Sequence, residues 1–224
     1  LPYSVNASDN EIPQENKSSP RGKIAASAWD TTWDVYPKYS EYVAKMQYWA
    51  ATYPSLCTLQ NIGSTPNGRA LYVLKISDNA PTDETEPEFL YTSSMHGDEI
   101  TGFPNMLRLI DYLLTNYGSL AEVTDIVNGT EIFICPLANP DGSFKTAGND
   151  ILNSTGNTAT RANKNGYDLN RNYPDPKNGL HPDSGLQTNA VYQPETLAFL
   201  AFERTRNFVL SANYHGGAEV VNYP

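Results

Sequence analysis

The chain has 224 residues, 39% hydrophobic, 11% aromatic and 18% charged, with 15 Lys and Arg against 25 Asp and Glu for a formal charge of −10. This composition excludes collagen, coiled coil and a wholly disordered chain, and the negative charge without a basic patch argues against nucleic acid or anionic membrane as a partner. No apolar run approaches the roughly 18 residues of a membrane helix, and Cys57 and Cys135 are too few for a disulfide scaffold or a four-cysteine zinc site. Whether these two cysteines pair is left open by their number.

Residues 1–28 are rich in Asn, Ser, Pro and acids and read as a polar tail or strap, ahead of a folded unit over 29–224. Tyr42, Met46 and Trp49 recur at helical spacing and predict a helix from Tyr39 to Tyr53, stopped by Pro54. Cys57–Ile62 and Leu71–Ile76 read as strands joined through a reversal at residues 63–68, which contain Pro66 and Asn67-Gly68. An acidic loop with Asp83, Glu84 and Glu86 precedes a buried strand over Phe89–Met95 that runs into His96-Gly-Asp-Glu99.

The next helix shows the apolar stripe Phe103, Leu107, Ile110, Leu114 and Tyr117, with Thr101 as its expected cap and Pro104 tolerated in its first turn. A short helix over Ser119–Val127 and a strand over Glu131–Leu137 follow. From Ala138 to about Gln193 the chain is rich in Gly, Asn, Pro and Asp with almost no period, and a loop of that length is usually functional. Gln193 and Pro194 open a helix to about Arg204, and Phe208–Ala212 is a last strand leading to His215. Alternating strands and helices predict an α/β fold: a mixed, mostly parallel central sheet, edged by an antiparallel strand, with helices on both faces.

Two of the three histidines, His96 and His215, stand just past the ends of expected central strands, where open α/β sheets place ligands. Glu99 lies three residues beyond His96, within reach of a common point. Two imidazoles and a carboxylate suit zinc and leave a fourth position open for water, the arrangement of a catalytic site. His181 reads as an ordinary loop histidine. The long loop adds Asn139-Pro-Asp-Gly142 and the stretch Arg161–Pro174 with two arginines. In so acidic a chain, these guanidinium groups beside a metal point to an anionic ligand, such as a free C-terminal carboxylate or an oxyanion, or else to ion pairs with Asp168 or Asp175.

Four segments together resemble the zinc metallocarboxypeptidases of the funnel-shaped α/β type, and their regulatory branch more than their digestive branch. These are Met95-His-Gly-Asp-Glu-Ile-Thr-Gly102, Asn139-Pro-Asp-Gly142, Gly166-Tyr-Asp-Leu-Asn-Arg-Asn-Tyr-Pro174 and Leu210-Ser-Ala-Asn-Tyr-His-Gly-Gly-Ala-Glu-Val-Val-Asn-Tyr-Pro224. The resemblance runs from about Tyr39 to Pro224. It implies that His96, Glu99 and His215 bind one Zn2+ per chain, that Arg161 polarises the scissile carbonyl, and that Asn170 and Arg171 grip the terminal carboxylate of a peptide or protein substrate. Asp168 matches the acid that orients the ring of His96. A secreted, periplasmic or extracellular location is also implied.

The general-base glutamate and the lid tyrosine of that family lie later than His215 and have no counterpart here, and Glu219 does not correspond to the base. The expectation is therefore an incomplete catalytic domain, nearly inactive on peptides as it stands. Two other readings use the same residues: a non-catalytic module that binds peptide tails, and a zinc amidohydrolase or cell-wall peptidase with a similar His-x-x-Glu pattern.

Overall fold

The computed structural model describes residues 36–145, 148, 159–175, 179–180 and 191–221. The expected strap over 1–28, His181 and the last three residues lie outside them. The elements in chain order are α1 (Tyr39–Thr52), β1 (Cys57–Ser64), β2 (Ala70–Ile76), β3 (Glu88–Ser93), α2 (Gly102–Asn116), α3 (Ala121–Asn128), β4 (Glu131–Cys135), α4 (Pro140–Phe144), a 3-10 turn (Leu169–Arg171), β5 (Pro174–Asp175), β6 (Gly179–Leu180), α5 (Pro194–Glu203) and β7 (Phe208–Tyr214).

Five strands form one mixed sheet in the order β1-β2-β4-β3-β7, and β5 and β6 make a separate small ribbon. β1 with β2 and β2 with β4 are antiparallel, whereas β3 with β4 and β3 with β7 are parallel. The alternation of side chains along a strand divides the core in two. Leu74, Ile76, Ile132 and Ile134 face α1, α2 and α3, packing with Tyr42, Met46, Trp49, Phe103, Leu107 and Ile110. Val73, Phe133 and Cys135 face the other way, onto Phe199 and Phe202 of α5. Helices therefore cover both faces of the sheet.

α1 and α2 form because their apolar residues recur every three or four positions. Tyr42, Met46 and Trp49 are fully buried, each contributing roughly 1.5–3 kcal/mol of transfer free energy. The Trp49 indole N–H donates to Asp111 Oδ1 of α2 (3.3 Å), so its polar end is satisfied as well. Thr101 precedes α2 but does not cap it through its side chain. Its backbone is already helical (φ −67°, ψ −34°), and a capping hydroxyl needs an extended residue to reach back. Tyr117 caps the C-terminus of α2 and still packs against the same core as the stripe.

The strand expected over 89–95 ends at Ser93 because Ser94 turns to φ 55° and redirects the chain toward His96. The strand expected over 131–137 likewise stops at Cys135, just before Pro136. The final strand is longer than expected and runs to Tyr214. It lies at the sheet margin, where Val209 and Leu210 are 68% and 60% exposed.

The aperiodic region contains two short pieces of order that hold the turn after β3. Asn139 accepts from the Gly142 N–H (2.9 Å) through its side chain and donates to the Met95 carbonyl (3.1 Å). Asp141 forms an ion pair with Arg69 (2.6 Å) and accepts from the Asn67 N–H (2.8 Å), tying α4 to the β1–β2 reversal. Ser143 Oγ donates to the Gly97 carbonyl (2.8 Å), and the Gly97 N–H donates to the Arg161 carbonyl (3.3 Å). A Cβ on Gly97 would stand 2.2 Å from the Gly142 carbonyl carbon, so only glycine permits these two loops to touch. Gly97→Ala should destabilise the protein by at least about 2 kcal/mol, read as a lower urea midpoint; an unchanged midpoint would mean that the loops separate freely.

Cys57 and Cys135 are both buried and free, not paired. Burial pushes each thiol up to about 12. Alkylation of the native protein at pH 8 should run about a thousandfold slower than for free cysteine and recover in denaturant. Rapid native labelling of either residue would contradict the packing.

Candidate metal centre

β3 and β7 run side by side and parallel, with Ser93 opposite Tyr214. Both chains therefore leave the sheet at the same edge, and the residues just beyond, His96 and His215, meet there. Their Nδ1 atoms lie 3.1 Å apart. Glu99 reaches both rings, with Oε1 2.8 Å from His96 Nδ1 and Oε2 2.8 Å from His215 Nδ1. The turn is compact because the Glu99 N–H donates to the His96 carbonyl (3.1 Å) and Ser94 Oγ donates to the Glu99 carbonyl (3.1 Å).

The second nitrogen of each ring faces an orienting group. His96 Nε2 lies 3.1 Å from Asp168 Oδ1. A proton held on Nε2 by that carboxylate leaves the Nδ1 lone pair facing the cluster. His215 Nε2 lies 3.2 Å from the Asn213 side-chain amide, which Thr92 Oγ1 also engages (3.0 Å). His96 is 2% exposed, while the side chain of His215 is 34% exposed, so the centre opens on the β7 side.

Electrostatics favour the ionised form of both acids. Burial pushes the Glu99 carboxyl up, but hydrogen bonds from the Gly216 N–H (3.0 Å), His215 and His96 outweigh it and hold the group below its ordinary value. For Asp168, burial is likewise outweighed, here by Arg161, by His96 and by the Asn170 N–H (2.9 Å). Arg161 Nε donates to Asp168 Oδ2 at 2.8 Å and its Nη1 stands 3.5 Å from Glu99 Oε1. About half of the Arg161 side chain remains exposed, at 49%.

These residues fit a divalent metal ion by their own chemistry. Two facing imidazole nitrogens and a bidentate carboxylate hold more lone pairs than protons, an imbalance that a cation resolves. Ligands 2.0–2.1 Å from a tetrahedral zinc would stand about 3.3 Å from one another, and the distances here are 2.8–3.1 Å. One donor atom from each of His96, Glu99 and His215 lies within 4.8 Å of the others.

The remaining expected site residues lie on the 3-10 turn and show a different pattern. Arg171 Nη1 donates to the Asn170 carbonyl (3.0 Å). Among the described residues, no acid stands within ion-pair distance of Arg171, and neither it nor the Asn170 side chain forms a hydrogen bond with His96, Glu99 or His215. Arg161 is thus paired with a local acid, and Arg171 is not. Asn213 and the tie of Asn139 to the Met95 carbonyl were missed at the level of sequence. The first was readable from its two-residue offset to His215 on one strand, whereas the second joins segments with no shared period.

Comparison with known proteins gives a consistent outcome. Carboxypeptidase D of Anas platyrhynchos is 44% identical over 187 residues, covering 83% of this chain and 13% of that protein. Carboxypeptidase M of Mus musculus is 42% identical over 176 residues, covering 78% of this chain and 37% of the relative. The chain thus spans well under half the length of these relatives. Among solved structures, carboxypeptidase A from Helicoverpa armigera shares the fold with a TM-score of 0.68 at 24% identity, over 87% of this chain and 50% of that one. Bovine thrombin-activatable fibrinolysis inhibitor in complex with tick carboxypeptidase inhibitor has a TM-score of 0.62 at 18% identity, over 86% of this chain and 65% of its own. The zinc carboxypeptidase sequence pattern matches residues 42–224, and with it the chain belongs to the zinc carboxypeptidase family.

Proposed function

We propose that this chain holds one zinc ion through His96 Nδ1, Glu99 and His215 Nδ1 and that its protein is a metallocarboxypeptidase, cleaving the last peptide bond of peptide or protein substrates. The observation that carries the reading is the convergence of these three side chains from two parallel strand ends, with Asp168 behind His96. Zinc bound there supplies a Lewis acid for the scissile carbonyl and lowers the pKa of water.

The chain's own residues then divide the work. Asp168 fixes the His96 ring and, through its second oxygen, the Arg161 guanidinium. Arg161, half exposed beside Glu99 and Asp168, is placed to stabilise negative charge on the carbonyl oxygen. Arg171 and Asn170 bind the terminal carboxylate, Arg171 being the guanidinium without an acid partner among the described residues. A clamp at fixed distance from the metal would limit cleavage to the chain end. In the bovine relative's complex the bound partner is a carboxypeptidase inhibitor, in keeping with a cleft that receives polypeptide.

Proton transfer from the metal-bound water needs a general base near the centre, a carboxylate in the family the chain belongs to. Glu219, the one acid after His215, is exposed and forms no hydrogen bond or ion pair with the three ligands among the described residues. We infer that residues 29–224 belong to the catalytic domain of such an enzyme, the family match over 42–224 supporting the reading. A secreted, periplasmic or extracellular location follows from the likeness to the regulatory branch. No helix among the described residues is long and apolar enough to cross a membrane.

Metal analysis of the purified chain should return about one zinc per chain, lost in His96→Ala and in His215→Ala, with Asp168→Asn lowering affinity about 10- to 100-fold. Absence of zinc from the unsubstituted chain sinks the proposal. Arg171→Ala should weaken binding of peptides with a free C-terminus about 10- to 100-fold and leave their amidated forms unaffected. An equal loss for both peptides removes the clamp. Zinc-dependent release of C-terminal residues from peptides is the expected activity; hydrolysis of N-acyl amino acids instead would favour the amidohydrolase reading.

A further inference from the structure

The stretch that carries Asp168, Asn170 and Arg171 has no regular structure beyond one 3-10 turn, yet it begins and ends on a buried asparagine. Asn163 is 4% exposed. Its Oδ1 accepts from the N–H groups of Asn165 and Tyr167 (both 3.0 Å). Its own N–H donates to the Tyr167 carbonyl (2.9 Å) and its carbonyl accepts from the Gly166 N–H (3.0 Å), with Gly166 at φ 84° closing the turn. Asn172, immediately after Arg171, is 0% exposed. One side chain at each end thus supplies hydrogen bonds that a helix or sheet would otherwise provide.

Both asparagines are held by the N-terminal turn of α5. Asn163 Nδ2 donates to Gln193 Oε1 (3.1 Å) and Glu195 Oε2 (3.0 Å), and Asn165 Nδ2 also reaches Gln193 Oε1 (2.9 Å). Asn172 Oδ1 accepts from the Gln193 N–H (2.7 Å) and from Thr196 Oγ1 (2.8 Å). Gln193, Glu195 and Thr196 are all buried. Glu195 makes this junction at a cost. Its Oε1 is buried with no hydrogen-bond partner, and burial, opposed by the bond from Asn163, pushes the carboxyl above its ordinary value. A buried carboxylate with one oxygen unsatisfied lowers stability, so the acceptor it presents to Asn163 has a use beyond packing.

Between the two anchors lie the groups assigned above to the substrate. Asp168 reaches both His96 and Arg161, and Arg171, adjoining Asn172, is the guanidinium without an acid partner among the described residues. A terminal carboxylate is held at a productive distance from the metal only if this segment keeps one shape, and a displacement of about 1 Å in such a site costs on the order of 100-fold. We propose that Gln193 and Glu195 are positioning residues for the carboxylate clamp: acting through Asn163 and Asn172, they set the place of Asn170 and Arg171 relative to His96, Glu99 and His215. The inference rests on the clamp reading above and extends it to residues that are themselves buried.

The test is binding, to the purified zinc-loaded protein, of a fluorescent peptide whose last amide is N-methylated and so uncleaved, with its C-terminus free or amidated. The unsubstituted protein should favour the free acid about 10- to 100-fold. Glu195→Asp keeps the charge but is one methylene too short to reach Asn163, and should lower that preference about tenfold. Glu195→Gln keeps the length and an acceptor oxygen and should stay within about twofold of the unsubstituted protein. Asn165→Ala removes an exposed side chain, so the fold is safe, and should lower the preference about threefold. Each variant should retain about one zinc per chain, its circular dichroism spectrum and its affinity for the amidated peptide. An undiminished preference in Asn165→Ala or in folded Glu195→Asp overturns the proposal; should Glu195→Asp not fold, Asn165→Ala decides by itself. An equal loss for both peptides, the mark of general loosening, also overturns it, as does a loss in Glu195→Gln as large as that in Glu195→Asp. If the unsubstituted protein shows no preference, the clamp itself is absent and the proposal falls with it.

Discussion

The parallel pairing of β3 with β7 sets the geometry on which the rest of the centre rests. Residues 93 and 214 stand opposite each other in that ladder, so the two chains leave the sheet together and the histidines beyond them are brought to 3.1 Å. A one-residue slip would invert the faces of β7 and carry His215 away from His96. β3 is in turn fixed from the other side by β4, and the turn after it is pinned by α4 and by the carbonyl of Arg161. The candidate metal centre is thus assembled by backbone hydrogen bonds, with side-chain bonds used to aim rings already in position.

Much of this is legible in the sequence where a period or a stop signal marks it. The spacing of Tyr42, Met46 and Trp49 with Pro54 beyond them gives α1 almost to its ends, and the apolar run from Phe89 places β3. Once two strands are expected to end at His96 and His215, the metal hypothesis follows from the ligand chemistry alone. Local order without periodicity stays hidden: α4 has five residues and the 3-10 turn three, too few for any recurring pattern to form. The function of Asn139 is hidden for another reason. Its partners Met95 and Gly142 lie on two segments whose contact is decided by the absence of a Cβ at Gly97, a property of the assembled loops. The Thr101 cap failed because composition names the residue type that caps and not the backbone angles that allow it.

The net charge of −10 also takes on a spatial meaning. Around the histidines the acids are few and each is engaged: Glu99 by three N–H or ring partners, Asp168 by Arg161, His96 and a backbone amide. At the other end of β3 stand six carboxylates, of which Glu131 pairs with Lys75 and Asp83 and Glu88 pair with Arg206. One strand therefore connects a region where charge is balanced with a region where it is in excess.

The sequence distance between the two histidines has a thermodynamic consequence. They are 119 residues apart in the chain, and one is buried while the other sits on the strand with the most open margin. An ion bonded to both would act as a cross-link of chain topology, removing from the unfolded ensemble the freedom of that whole span. Loop-closure arithmetic for a covalent bridge of such length gives about 5 kcal/mol, comparable with the entire stability of a small domain. On that scale a catalytic metal would serve also as the fastener of β7, and exchange of its backbone amides with solvent would report whether the ion is in place.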